Sequence, residues 1–250
     1  MSGHSKWSTI KRKKGAEDAK RAKIFTRLAR DITIAARDGV PDENGNPKLK
    51  LAIQKARASN MPKENIERAI KRGTGELEGS AMEEITYEGY GIDGVAFMVD
   101  VLTDNRNRAL AEVKRVFTKS GGSLAAAGSV AWQFDRNGYI TLQGENLDFD
   151  QVFLVAAEAG ANDVVDEEGV LTVYTPREAL SAVETALEEA GYVVDEAELR
   201  WMAQNEVEVG EQATLQNMRV LEQLEELDDV QSVATNLSIS ESALSAFEQG

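Results

Sequence analysis

The chain has 250 residues, no cysteine and one histidine, His4, which removes disulfides, thiolate nucleophiles, Cys-ligated metals and most histidine-based catalysis. Its formal net charge of −15 conceals a division: residues 1–75 carry 19 Lys/Arg against 8 Asp/Glu, and residues 76–250 carry 9 against 35. No run approaches the ~20 apolar residues that cross a bilayer, and no apolar secretory segment opens the chain, so a membrane partner is not expected and a reducing cytoplasm is.

A basic end on an acidic body points to an anionic polymer bound at that end and repelled elsewhere. Residues 2–15 read as a basic arm in which Lys6, Lys11, Arg12, Lys13 and Lys14 surround one aromatic, Trp7. Lysines neutralise phosphates while an aromatic stacks on bases, so the arm suits nucleic acid better than plain solvation. A helix is predicted from about residue 16 to 38, stopped by Gly39 and Pro41. At 100° per residue Phe25, Leu28, Ile32, Ala35 and Ala36 share one face. The opposite face gathers Lys20, Lys23, Arg27, Arg30 and Arg37. Solvated faces usually mix signs, and this one is read as an anion-binding stripe.

Asp42 to Pro47 is turn-rich. A second helix is predicted from Pro47 to about Ala58, and a third from Pro62, with Ile66, Ala69 and Ile70 inward and Gly73 as its C-cap. Joined by Ser59-Asn60-Met61, the pair resembles a helix-turn-helix, with Lys63, Arg68, Lys71 and Arg72 keeping the last helix basic outside. Many such hairpins never touch DNA, and no diagnostic base-reading spacing accompanies this one. Gly73-Thr74-Gly75 is too short for a phosphate loop.

A Gly/Ser linker follows from Glu76 to Ala81. Strand and helix periodicities then alternate: strand 95–102, helix 106–119, strand 129–134, strand 138–142, helix 148–159, strands 163–165 and 170–174, helix 176–190 and strand 192–199. A strand about Val207 and Val209, a helix over 212–227 and a strand over 230–237 complete the chain. Residues 138–201 read βαββαβ, the ferredoxin-like pattern, and their flanks join into a second. The expected fold is therefore α+β. It comprises a basic three-helix module (1–78), a discontinuous ferredoxin-like domain (79–136 plus 202–240), an acidic ferredoxin-like domain inserted within it (137–201), and a tail (241–250).

Five of the nine basic residues of the body, Arg106, Arg108, Lys114, Arg115 and Lys119, lie on one helix. Its start, Thr103-Asp104-Asn105, reads either as a salt-bridged cap or, with Arg106 and Arg108, as a second contact surface beside the basic module. The inserted domain holds 15 acids against Arg177 and Arg200, which suits a solvated shell or a docking face for a basic protein. Glu184, Glu188 and Glu189 share a solvated helix and are not read as a metal site. No nucleophile–base pair is legible. Asn105 with Arg106 or Arg108 imitates a small phosphatase only by analogy of fold. No catalytic residue, cofactor, metal or small-molecule substrate is expected.

Several segments carry a resemblance. Ser2-Gly-His-Ser-Lys-Trp7, Ala22-Lys-Ile-Phe-Thr-Arg-Leu28, Ala52-Ile-Gln-Lys-Ala-Arg-Ala58 and Asn65-Ile-Glu-Arg-Ala-Ile70 resemble the YebC/PmpR family. So do Tyr87-Glu-Gly-Tyr-Gly91, Leu102-Thr-Asp-Asn-Arg-Asn-Arg108 and Gly128-Ser-Val-Ala-Trp132. The match runs from residue 2 to about 140 and thins to pattern-level similarity beyond. It implies a cytoplasmic, three-domain α+β protein acting as a DNA-binding transcriptional regulator, not an enzyme. Mitochondrial members of the family are translational activators, and bacterial ones are also linked to ribosomes and to relief of stalled translation. The sequence departs from the family at Ile92-Asp93, where relatives commonly have Pro-Gly, and at Ala125-Ala126-Ala127. Two readings stay open: a DNA-binding regulator, and a ribosome-associated factor whose arm and cations meet ribosomal RNA by shape and stacking.

Overall fold

Apolar residues at helical spacing build the first unit. The computed structural model describes residues 17–77, 82–144, 147–167 and 170–249, beginning with α1 (Glu17–Asp38), α2 (Pro47–Ala58) and α3 (Lys63–Gly73). Leu28, Ile32, Ala35 and Ala36 of α1 close on Leu49, Ile53 and Ala56 of α2 and on Ile66 and Ala69 of α3. Asn46 starts α2: its Oδ1 accepts from the Leu49 N–H at 3.0 Å, and its Nδ2 donates to the Ala35 carbonyl at 2.7 Å. Pro47 follows at the first helical position, where a missing N–H costs nothing. Gly73 is the last residue of α3 rather than its cap, which is Thr74. Its value is spatial, because a Cβ there would stand 2.3 Å from the Thr33 carbonyl oxygen.

The body continues as β1 (Glu83–Tyr90), β2 (Ala96–Thr103), α4 (Arg106–Lys119), β3 (Ser123–Leu124), β4 (Phe134–Gln143), α5 (Phe149–Glu158), β5 (Asp163–Glu167) and β6 (Val170–Thr175). Next come α6 (Leu180–Glu189), β7 (Val193–Ala203), α7 (Glu211–Glu225), β8 (Val230–Thr235) and α8 (Glu241–Gln249). The described strands form two antiparallel sheets of four, ordered β3-β1-β2-β8 and β5-β6-β4-β7. In the second, β4-α5-β5-β6-α6-β7 is the expected ferredoxin-like unit with its ordinary strand order.

The first sheet has the same layout but fills it differently. The place beside β2 belongs to β1, whose eight residues pair with it from Glu83 opposite Thr103 to Tyr90 opposite Ala96. Sequence periodicity marks this strand only weakly, because Ile85 and Tyr87 are the only apolar side chains on one face, between Glu83 and Gly89. The strand expected over 129–134 is a 3₁₀ turn at Ala131–Gln133 leading into β4, and Val207 makes one isolated bridge to Leu237. The residues expected as a tail form α8, with Ala243 and Phe247 buried in the main core.

That core lies between one face of the sheet and α4 and α7. Phe97, Val99 and Val101 meet Val113, Phe117, Leu221 and Leu224. Phe97 and Phe117 pack edge to face at 5.7 Å, a favoured aromatic geometry. On the other face Ala96, Met98 and Ala234 meet Val130 and Phe134. There Glu88 is buried, and its oxygens accept from the backbone N–H groups of Gly128 (2.6 Å), Val130 (2.6 Å) and Ala131 (3.0 Å). Burial alone would raise its pKa, but these three donors leave it lowered. The Ala125-Ala126-Ala127 loop is thus held by a carboxylate.

Asp100 joins the inserted domain to this sheet. Its carboxylate accepts from Thr86 (2.7 Å), from the Trp201 indole (3.1 Å) and from Ser232 (3.1 Å). Arg136 stands over the Trp201 ring at 5.1 Å. Replacing Gly73 by Ala should force α1 and α3 apart and lower stability by roughly 1–3 kcal/mol, the range for overpacking. Thermal unfolding followed by circular dichroism checks this.

Candidate nucleic-acid interface

Cations from distant parts of the sequence meet where α1, α3 and the start of α4 converge. A cleft of about 310 Å³ there is lined by Phe25 and Arg30 of α1, by Asn65, Arg68 and Arg72 of α3, and by Asp104. With Ile66 and Ala69 buried, α3 turns Arg68 and Arg72 outward, four residues apart on one side. Asp104 precedes α4, whose cap is Asn105: its side chain accepts from the Arg108 N–H at 3.1 Å.

Below the cleft lies Asp229, only 3% exposed. One of its oxygens accepts from Thr103 Oγ1 and from Arg108 Nη2, both at 2.8 Å, and the other from Arg30 Nη2 at 2.5 Å. Arg108 also reaches Asp104 at 2.9 Å, and hydrogen bonding to Asp229 and then Asp104 raises the arginine's pKa. Arg30 donates as well to the Asp228 carbonyl. Arg27 donates to the Val230 carbonyl at 3.0 Å, and burial lowers its pKa against the pull of Glu225 and Asp31. Arg37 donates to the Met82 carbonyl at 2.5 Å.

These contacts redistribute the expected sites. Arg27, Arg30 and Arg37, read from the sequence as part of a stripe facing an anion, face the body and hold α1 to it. Arg30 alone of the three also borders the cleft. Lys63, Arg68, Lys71 and Arg72 stay exposed along α3, where Lys63 lies 3.6 Å from Glu67. Arg106 is exposed two residues beyond Asp104, whereas Arg108 is committed to two carboxylates. Lys6, Trp7, Lys11, Arg12, Lys13 and Lys14 lie outside the described residues, as do the side chains of Lys20 and Lys23. Phe25, Asn65 and Asp229 are not marked as site residues by the sequence, and Asp104 is marked only within the second contact surface. Nothing in the pattern separates Asp229 from the other acids, since its role depends on a partner 199 residues away.

The inserted domain is of opposite sign. In the inserted domain Arg200 is consumed by Glu196 (2.8 Å) and Glu198 (2.5 Å) and stacks 3.7 Å from Tyr139. Phe149, Phe153 and Leu154 are exposed on α5, with the two phenylalanine rings stacked at 6.2 Å. Among the described residues no cluster of His, Cys, Asp or Glu has the composition of a metal site, and no helix is long and apolar enough to cross a membrane. Asn105 is occupied as a cap and Arg108 by carboxylates, whereas Arg106 is exposed.

The family profile for the TACO1/YebC protein N-terminal domain matches residues 5–76, and that for the TACO1/YebC second and third domain matches residues 82–237. The chain belongs to the TACO1/YebC family. Family members named "Probable transcriptional regulatory protein" include one from Geobacter sulfurreducens, 51% identical over 240 residues, or 96% of this chain and 97% of the relative. Another, from Dehalococcoides mccartyi, is 50% identical and covers 94% of each chain. The crystal structure of a conserved hypothetical protein from Aquifex aeolicus superposes with a TM-score of 0.84 at 45% identity, covering 90% of this chain and 93% of that one. At Asp93, one of the positions where the sequence reads as departing from the family resemblance, the backbone is left-handed with φ of 55°. The turn thus keeps a glycine-like shape with an aspartate, a residue that tolerates this region.

The two buried or crowded aspartates of this region are open to test. Asp229→Ala leaves Arg30 and Arg108 without their shared carboxylate and should lower stability by roughly 2–5 kcal/mol, as for a desolvated interfacial pair. Limited proteolysis should then cut between residues 73 and 83 faster than in the parent. Asp31 supplies the second prediction. Solvent reaches it, yet surrounding protein and then Glu198 push its pKa from 3.8 up to about 6, against Lys55 and Arg27. A carboxyl raised in the folded state binds more protons there than when unfolded, so stability falls as pH rises from about 4 to about 6. Asp31→Asn should abolish that portion of the pH profile, and Glu198→Gln should move the Asp31 midpoint down in a carboxyl-carbon NMR titration.

Proposed function

We propose that this protein is a cytoplasmic nucleic-acid-binding regulator of gene expression, a DNA-binding transcriptional regulator that grips phosphates through its basic N-terminal module. The observation that carries the reading is the convergence of Arg68 and Arg72 with the start of α4 around one cleft. Lys63 and Lys71 on α3 and Arg106 at the start of α4 are also exposed. Among the described residues neither Arg68 nor Arg72 has an ion-pair partner, so both charges are available to phosphate. The names of the relatives support regulation of transcription. The acidic remainder repels the same polymer and orients the approach. In this reading Lys6, Trp7, Lys11, Arg12, Lys13 and Lys14 extend the grip along the strand, while Lys20 and Lys23 add to it on α1.

The second reading, a ribosome-associated translation factor using the same cations on ribosomal RNA, is favoured by one feature. The cleft is concave and sized for a small group, whereas duplex reading presents a projecting helix to a groove.

Reversing the charge of Lys63, Arg68, Lys71 and Arg72 together should weaken binding to random-sequence duplex DNA. The log–log salt slope should shrink by about 0.9 for each phosphate that is no longer neutralised. Arg177→Glu, in the acidic domain, should change neither. Fluorescence anisotropy across a salt series checks both, and unchanged affinity and slope in the fourfold variant would sink the proposal. Sedimentation of a lysate with and without RNase separates the two readings: RNase-sensitive co-migration with ribosomes selects translation, and its absence selects transcription.

A further inference from the structure

The cleft holds more than charge. Phosphate binding needs cations on an open surface, yet here Arg68 and Arg72 border a recess that also contains an aromatic ring, an amide and a carboxylate. Its volume of about 310 Å³ lies at the small end of the roughly 300–1,000 Å³ usual for ligand clefts. That is room for one nucleotide and far too little for a duplex.

The lining has the chemistry of an unstacked nucleotide. Phe25 is half-buried, anchored on the helical core and open to the cleft, so one part of the ring is fixed while another is available for stacking. Asn65 is half-buried on α3, and among the described residues its side-chain amide has no protein partner. It brings both a donor and an acceptor, as a base edge requires. Asp104 spends one oxygen on Arg108 at 2.9 Å, leaving the other to accept from a base amino group. Arg68 and Arg72 stand at the border where the flanking phosphates would run.

Resting on the nucleic-acid reading above, we propose that this cleft is a single-strand site that takes one splayed-out nucleotide, with its base on Phe25, its edge on Asn65 and Asp104, and its phosphates on Arg68 and Arg72. The ligand class is therefore unpaired nucleic acid. A paired base cannot enter without being extruded, at the cost of its stacking and pairing. The preference for single strands thus arises from the recess, while the salt dependence arises from the arginines.

The test measures anisotropy of the full chain with a labelled oligonucleotide of about 12 nucleotides, within the ~4–16-nucleotide site size of single-strand binders. It is presented as RNA, as DNA and as the duplex of each. The probe should bind more tightly as a single strand than as its duplex, and the difference between the RNA and DNA arms assigns the sugar. Phe25→Leu, which keeps an apolar anchor, should weaken single-strand binding roughly 5- to 150-fold, the range for loss of one base–aromatic stack. Asn65→Ala should weaken it about 5-fold, as for one hydrogen bond. Neither variant should alter duplex affinity or the salt slope, and thermal melting verifies that both remain folded. By contrast, Arg68→Gln and Arg72→Gln should each flatten the single-strand slope by about 0.7. A 2-aminopurine placed in the strand should change its emission on binding to the parent but not to Phe25→Leu.

Equal affinity for strand and duplex, with Phe25→Leu and Asn65→Ala neutral, would overturn the single-strand site and leave general phosphate binding intact. If no probe binds at low salt, both this proposal and the reading beneath it fail.

Discussion

One buried carboxylate decides how this molecule is assembled. Asp229 stands at the start of β8, where it gathers Thr103 from the end of β2, Arg108 from α4 and Arg30 from α1. Burying a charge is costly unless it is paired and hydrogen-bonded. Asp229 therefore demands cations, and two arginines from different units answer it. Take it away and Arg30 loses its charge partner in the body, keeping only its bond to the Asp228 carbonyl beside those of Arg27 and Arg37 to the Val230 and Met82 carbonyls. The cleft between α1, α3 and Asp104 exists because this junction is closed.

A second aspartate does the same on the opposite face. Asp100 ties Trp201 and Arg136 of the inserted domain to Thr86 and Ser232 of the first sheet. Both appended units are thus fixed to one central sheet by polar contacts, while that sheet buries its apolar side on α4, α7 and α8. The arrangement separates charge in space as the chain separates it in sequence. Cations that neutralise internal acids lie at the junctions, and exposed ones lie on α2, on α3 and along α4. For an anionic polymer this makes one attractive face on a repulsive particle, the condition under which net charge misleads and charge distribution informs.

Much of the architecture is legible because it rests on periodicity. The helices α1 to α3 and the inserted ferredoxin-like unit follow from apolar spacing, from Pro47 and from turn residues, and their boundaries shift by a few residues at most, while most of the linker lies outside the described residues. The departures are of another kind. β1 hides because only Ile85 and Tyr87 mark its apolar face, while the other face carries Glu88, buried to hold a loop. α8 reads as a tail because its short apolar stripe acquires meaning only against the core it covers. Gly73 reads as a cap, and its real constraint is the Thr33 carbonyl on a neighbouring helix.

The division of labour follows from what each kind of interaction depends on. Local pattern and composition determined the α+β class, the order of the units, the split of charge and the basic face of α3, since helix and strand periodicity and side-chain charge are properties of contiguous residues. Tertiary structure alone decided which cations remain available. Arg27 and Arg30 belong to the same sequence stripe as Lys20 and Lys23, and nothing local distinguishes them. Their guanidiniums turn inward because residues some 200 positions away offer Val230, Asp228 and Asp229 at hydrogen-bonding distance. The same closure sets Phe25 and Asn65 beside Arg68 and Arg72. Charge is written in the sequence, but its availability is settled by desolvation and pairing, which only long-range contact brings about.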